Sequence, residues 1–103
     1  MPGLNQITAP QLFRLLGTPD APIIIDVRND EDFAADPRFI PGSRRIAHRD
    51  IASLIAELGG KPVVVSCQRG LKLSEGAAAL LRCHAILAEN IAGGHEAWVL
   101  DGL

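Results

Sequence analysis

Two short runs, Ile23-Ile24-Ile25 and Val63-Val64-Val65, are apolar at every position rather than at every second one. A strand with one face in water alternates apolar and polar side chains, so an unbroken run implies burial on both faces. Such strands belong to a parallel sheet covered by helices on each side. The residues between the runs fit that requirement. Thr8 is an N-cap candidate, Pro10 falls in the first turn, and Leu12, Phe13, Leu15 and Leu16 form an apolar stripe ending at Gly17.

Asn29 or Asp30 is expected to cap a brief helix through Ala35. Ile40-Pro41-Gly42 reads as a turn and Arg45-Ile46-Ala47 as a short strand. After Asp50, the residues Ile51, Leu54, Ile55 and Leu58 have helical spacing and stop at Gly59-Gly60. Ser74 to Arg82 reads as a helix with Ala77 to Leu81 inside it, and Ala85-Ile86-Leu87-Ala88 as a last strand. Gly93-Gly94 then breaks the chain before a short helix carrying Trp98, a core anchor. Strands alternating with helices predict an α/β fold with right-handed crossovers and a mainly parallel sheet. The 103 residues are expected to form one domain over 1–103.

Composition narrows the function. A formal net charge of −2 gives no bulk attraction to nucleic acid, so the cations that matter must act locally. No apolar run approaches a membrane span. The segment Met1 to Gln6 has neither the basic region nor the apolar core of an export signal. Cys67 and Cys83 do not make a disulfide framework, and no C-x-x-C pair suggests zinc or redox exchange. The expected location is the reducing cytoplasm, where Cys67 stays a free thiol. His48, His84 and His95 are too scattered for a metal site.

Cys67 stands where a strand ends, followed by the basic, glycine-containing stretch Gln68-Arg69-Gly70-Leu71-Lys72-Leu73 and then a helix. That order brings the sulfur to converging backbone N–H groups and the positive end of a helix, an environment that favours thiolate. A buried, inert cysteine does not need such neighbours. Gly70 is expected to supply a backbone angle that turns successive N–H groups inward. Cys83 reads as a packing residue, since a helix of about 1.5 Å rise per residue carries it well away from Cys67.

With these residues in place, the chain resembles a single-domain rhodanese. Asp26-Val27-Arg28 with Asp32-Phe33 is similar to the family's Asp-Val-Arg strand end and acidic-aromatic pair. Ile40-Pro41-Gly42-Ser43 resembles its His-Ile-Pro-Gly-Ala turn, and Cys67 to Lys72 its Cys-x-x-Gly-x-Arg loop. Gly93-Gly94-His95-Glu96-Ala97-Trp98 resembles its Gly-Gly-x-x-x-Trp element. The departures are Phe39 for the usual histidine, a loop lengthened by Asp36-Pro37-Arg38, Lys72 for arginine, and serine displaced by Leu73 to Ser74.

The resemblance implies a five-stranded, mainly parallel sheet with helices on both faces. It also implies a sulfurtransferase in which Cys67 carries a sulfane sulfur as a persulfide. The donor would be thiosulfate, a small persulfide or a persulfidated protein, and the acceptor cyanide in an assay or a thiol in the cell. No metal or organic cofactor is implied, and no nucleic-acid or membrane partner. Gln68, Arg69, Gly70, Leu71, Lys72 and Leu73 would form the anion loop, with Lys72 the main cation and Arg69 the second. Asp26, Arg28 and Arg45 would support it at the rim, with Arg28 paired to Asp32 or Glu31 and Arg45 able to face substrate. His95 is expected to face solvent near the site. Lysine lacks arginine's planar fork, so thiol persulfides are expected to serve better than thiosulfate. Two other readings stand beside this one. The first is a non-catalytic signalling, redox-sensing or scaffold module. The second is a cysteine phosphatase or arsenate reductase, which would need arginine where Leu73 stands.

Overall fold

The computed structural model describes residues 5–58 and 60–102. The reading of Met1 to Leu4 and the Gly59 half of the expected helix stop lie outside them. Five strands, β1 (Gln6–Ile7), β2 (Ile23–Asp26), β3 (Arg44–Arg45), β4 (Val63–Ser66) and β5 (Ala88–Ile91), form one sheet in the order β1-β5-β4-β2-β3. Every pairing is parallel. All five C-terminal ends therefore share one edge, the edge at which sheets of this kind place their sites.

Register explains why the two apolar runs are unbroken. Ile23 to Asp26 lie opposite Val63 to Ser66, position for position, in the middle of the sheet. Ile25, Val27, Val63, Val65 and Cys67 pack on one face against Ile51, Leu58, Ala77, Ala78 and Leu81. Ile24 and Val64 pack on the other against Leu12, Ile40 and Trp98. Each of the larger side chains contributes roughly 1.5–3 kcal/mol by leaving water. Cys67 thus continues the inward-facing row of Val63 and Val65.

The helices α1 (Ala9–Leu15), α2 (Asp30–Ala35), α3 (Ile55–Leu58), α4 (Lys72–Cys83) and α5 (Gly94–Leu100) cover both faces. Thr8 starts α1 with a reciprocal capping box. The Gln11 N–H donates to Thr8 Oγ1 at 3.2 Å, and the Thr8 N–H donates to Gln11 Oε1 at 2.9 Å. Asn29 caps α2 by accepting from the Asp32 N–H at 2.8 Å.

Several elements differ from the sequence reading: β3 is Arg44–Arg45 rather than residues 45–47, and α4 runs from Lys72 to Cys83 rather than from Ser74 to Arg82. The last strand is Ala88–Ile91, not residues 85–88. Residues 84–86 instead finish α4 in a Schellman turn: the Ile86 N–H donates to Leu81 O, the Ala85 N–H to Arg82 O, and Ala85 adopts φ 61°. The segment from His48 to Leu54 winds as a 3₁₀ helix before α3. The Asp50 N–H reaches only three residues back to Ala47 O, and the Ser53 hydroxyl takes the Asp50 carbonyl, which favours that tighter winding. The two-residue β1 has no sequence signal of its own and exists by pairing with β5.

Candidate active site

Cys67 follows β4 directly, and the Val27 N–H carries the sheet pairing one step beyond it by donating to Ser66 O at 2.8 Å. The cysteine is only 5% exposed. Its sulfur lies 3.1 Å from Oγ of Ser74, a fully buried residue in the first turn of α4. The thiol donates to that oxygen, whose own hydrogen can go to Leu71 O at 3.4 Å. A serine hydroxyl rotates, so it can instead donate to an ionised sulfur. Ser74 is the site residue that sequence reasoning passed over. Its signal was the hydroxyl displaced one position by Leu73.

The loop after Cys67 is held from outside by its carbonyl groups. Cys67 O accepts from the His95 N–H at 2.8 Å and Gln68 O from the Glu96 N–H at 3.0 Å. Both donors belong to the first turn of α5, whose amides have no partners within their own helix. Gly70 O accepts from Nδ2 of the buried Asn90 at 3.1 Å. In a trans peptide the C=O and the following N–H point in opposite directions. Tying these three carbonyls back toward α5 and β5 therefore turns the N–H groups of Gln68, Arg69 and Leu71 the other way.

Glycine is required on both sides of this contact. Gly70 has φ 71°, as expected, and a Cβ there would overlap Ile91 O and lie 2.8 Å from the Gly93 and Gly94 amide nitrogens. A Cβ on Gly94 would overlap Cys67 O and the Gly70 amide nitrogen. The loop and the start of α5 meet backbone to backbone.

The charged residues are arranged differently from the expectation. Arg28 is fully buried and pairs with Asp26, not with Asp32 or Glu31. Its Nε and Nη2 both reach the Asp26 carboxylate, at 2.8–3.1 Å, while Nη1 and Nη2 donate to Asp36 O and Arg38 O. Asp26 ends β2 only two residues before Arg28, so its carboxylate meets the guanidinium directly and both are buried together. The pair neutralises Asp26 and clamps the loop of residues 36–38. Arg69 is 74% exposed at its side chain and pairs with Glu96 on α5 at 3.2 Å. Lys72 is exposed in the first turn of α4 and makes no ion pair among the described residues. Leu71 is exposed, Gln68 half-buried, and Leu73 packs against the core beside Cys67. Buried Gln68 Oε1 has no hydrogen-bond partner among the described residues. Arg45 bonds Asp30 at 2.6 Å and lies over the Phe33 ring.

Two further expectations are overturned. Cys83 is exposed rather than packed, because it falls on the outer side of the last turn of α4 while Leu81 and Ile86 close the core. His95 is buried at 3% exposure rather than solvent-facing. Its Nε2 lies 3.2 Å from Asp36 Oδ2, a partner 59 residues away in sequence. The ionised carboxylate can only accept, so Nε2 carries the hydrogen. Asp36 is held well below the ordinary carboxylate range, chiefly by the Arg38 guanidinium, with His95 adding a smaller part. Among the described residues no three His, Cys, Asp or Glu side chains cluster as metal ligands. No helix among them is long and apolar enough to cross a membrane.

The pattern of a rhodanese-like domain matches residues 8–102. The chain belongs to the rhodanese-like family. Its fold neighbours agree. A human single-domain sulfurtransferase is 27% identical with a TM-score of 0.72, over 95% of this chain and 97% of that one. A thiosulfate sulfurtransferase from Pseudomonas aeruginosa is 26% identical with a TM-score of 0.81, over 99% of this chain and 19% of that much longer one. A Rhodopseudomonas palustris protein of unknown function, named a possible tyrosine phosphatase, is 24% identical with a TM-score of 0.83. It covers 96% of this chain and 82% of its own, and shares the fold. No curated protein matches the chain in sequence. The rhodanese pattern takes in every element from α1 onward, including the cysteine loop.

Proposed function

We propose that this rhodanese domain is a persulfide sulfurtransferase with Cys67 as nucleophile and sulfur carrier. The observation that carries the reading is the Cys67 sulfur 3.1 Å from the Ser74 hydroxyl, under a loop whose carbonyls are bonded away from it. Both features leave donors free to stabilise an anionic sulfur. The Cys67 thiolate attacks the outer sulfur of thiosulfate, the S–S bond breaks, and sulfite leaves with the bonding pair. A persulfide anion remains on Cys67. An acceptor thiolate then attacks the terminal sulfur, forming a new persulfide and returning the Cys67 thiolate. With a persulfide donor the leaving group is a thiolate instead. No metal or organic cofactor enters either step.

Lys72 supplies positive charge at the loop, and the backbone of Gln68 to Leu73 supplies the cradle. One ammonium replaces the water around a dianion less well than a guanidinium fork does. Thiol persulfides are therefore the better donors for this site. A nucleophile kept as a free thiol suits a reducing compartment such as the cytoplasm. The phosphatase alternative is disfavoured by Leu73, an apolar residue packed on the core where an oxyanion-clamping arginine would be needed. Sulfite release from thiosulfate in the presence of an acceptor thiol tests the reading. Turnover should be abolished by Cys67→Ser; equal turnover in that variant would refute it, and no turnover with any donor would favour a non-catalytic module.

A further inference from the structure

A cleft of about 370 Å³ opens at the C-terminal ends of β2 and β3, lined by Val27, Arg28, Arg45, His48, Arg49 and Leu73 among others. Cys67 and Ser74 do not themselves line it, but two of its lining residues adjoin them. Asp26 is in register with Ser66, so Val27 is the cross-strand neighbour of Cys67. On the other side, Leu73 directly precedes Ser74, whose hydroxyl contacts the sulfur. A volume of this size belongs to small-molecule sites and exceeds the needs of an inorganic sulfur anion.

The charges of the cleft are unevenly committed. The Arg28 guanidinium is buried against Asp26 and is satisfied. Arg45 holds Asp30, whose carboxylate is 98% exposed, a pairing that solvent screens and a ligand can exchange. Arg49 forms no ion pair among the described residues, although its field reaches Asp30 and helps keep that carboxyl ionised. His48 is likewise without an ion-pair partner there. The wall thus offers one free guanidinium and one exchangeable one beside the exposed Asp30 carboxylate, with Val27 and Leu73 among its apolar lining.

We propose that this cleft seats the carboxylate-bearing body of a low-molecular-weight thiol, entering as persulfide donor or leaving as acceptor, with Arg49 as the carboxylate anchor and Arg45 as its second contact. The assignment rests on the sulfur-transfer reading for its chemistry but not for its binding. Guanidinium and carboxylate match as planar forks, so the anchor fixes orientation as well as adding attraction. An extended thiol held there would span the cleft toward Val27 and Leu73, the lining residues that adjoin Cys67 and Ser74.

Two donors of nearly equal size separate charge from shape: glutathione persulfide and the persulfide of glutathione diethyl ester. The diacid should be preferred about tenfold in kcat/KM, mostly through KM, as one charge-assisted contact allows. Arg49→Ala should remove most of that preference and Arg49→Lys restore part. Arg44→Ala, on the neighbouring strand position, should leave it intact. Calorimetry with unreactive S-methylglutathione reads the cleft independently of turnover, with binding weakened about tenfold by Arg49→Ala. Equal use of the two donors, or S-methylglutathione binding that ignores Arg49, would overturn the assignment. Binding that depends on Arg49 in a protein that never loads Cys67 would preserve the subsite and overturn the sulfur-transfer reading instead.

Discussion

The amide of His95 donates to the carbonyl oxygen of Cys67 at 2.8 Å, so α5 begins against the cysteine loop itself. The contact is close enough that only glycine fits beside it. Gly94→Ala should therefore displace the loop, costing about 2–5 kcal/mol and most of the activity. Gly17 also has a positive φ but open space around its α-carbon, so Gly17→Ala should cost only about 1–2 kcal/mol and leave activity unchanged. Denaturant melts and turnover on both variants check this. Equal losses would mean that backbone strain, not the loop contact, sets the requirement at Gly94.

Ser74→Ala removes the one side-chain hydroxyl hydrogen-bonded to the Cys67 sulfur among the described residues. A hydrogen bond to a charged group contributes about 1.5–3 kcal/mol, so turnover should fall roughly tenfold to a hundredfold. Ser74→Thr retains the hydroxyl and should recover part of the loss. An alanine variant with unchanged kcat would assign Ser74 to packing alone.

The Arg38–Asp36–His95 cluster predicts a component of acid sensitivity. Asp36 is depressed below its ordinary value of 3.8, first by the Arg38 side-chain hydrogen bond, against an opposing contribution from partial burial. A depressed carboxylate favours the folded state above its unfolded pKa, and that contribution fades as the pH falls toward the folded value. Asp36→Asn should flatten the loss of stability below about pH 4. Thermal melts across the acid range measure it, and identical acid limbs in the two proteins would contradict the assignment.

Ala85 closes α4 in a left-handed conformation that a Cβ disfavours. Ala85→Gly should stabilise the fold by about 0.5–1 kcal/mol, the gain being reduced by the greater freedom of glycine in the unfolded chain. The variant lies outside the site and should keep wild-type kinetics. A lower melting temperature would show that the lost freedom outweighs the relieved strain.

What the sequence made legible was set by local chemistry. The unbroken runs at residues 23–25 and 63–65 announced the two central strands, and Thr8 and Asn29 announced their helices. The strand β5 was misplaced because Glu89 and Asn90 break its apolar pattern, and the buried Asn90 is satisfied by a carbonyl 20 residues away. Cys67 and Gly70 were readable from their order along the chain. Ser74, the Asp26–Arg28 pair and the burial of His95 were not, since each depends on a partner brought close by the fold. Exposure of Cys83 was missed because an apolar helix sequence does not say which side of its last turn faces the core.

Intact-protein and peptide mass spectrometry after brief exposure to thiosulfate, and separately to glutathione persulfide, tests sulfur transfer most directly. The account predicts one added sulfur on Cys67 with either donor, faster with the persulfide, and its loss when an acceptor thiol is added. Cys83, exposed and with no hydrogen bond to its sulfur among the described residues, should acquire none that turns over. No sulfur on Cys67 with either donor, or a labile sulfur confined to Cys83, would contradict it.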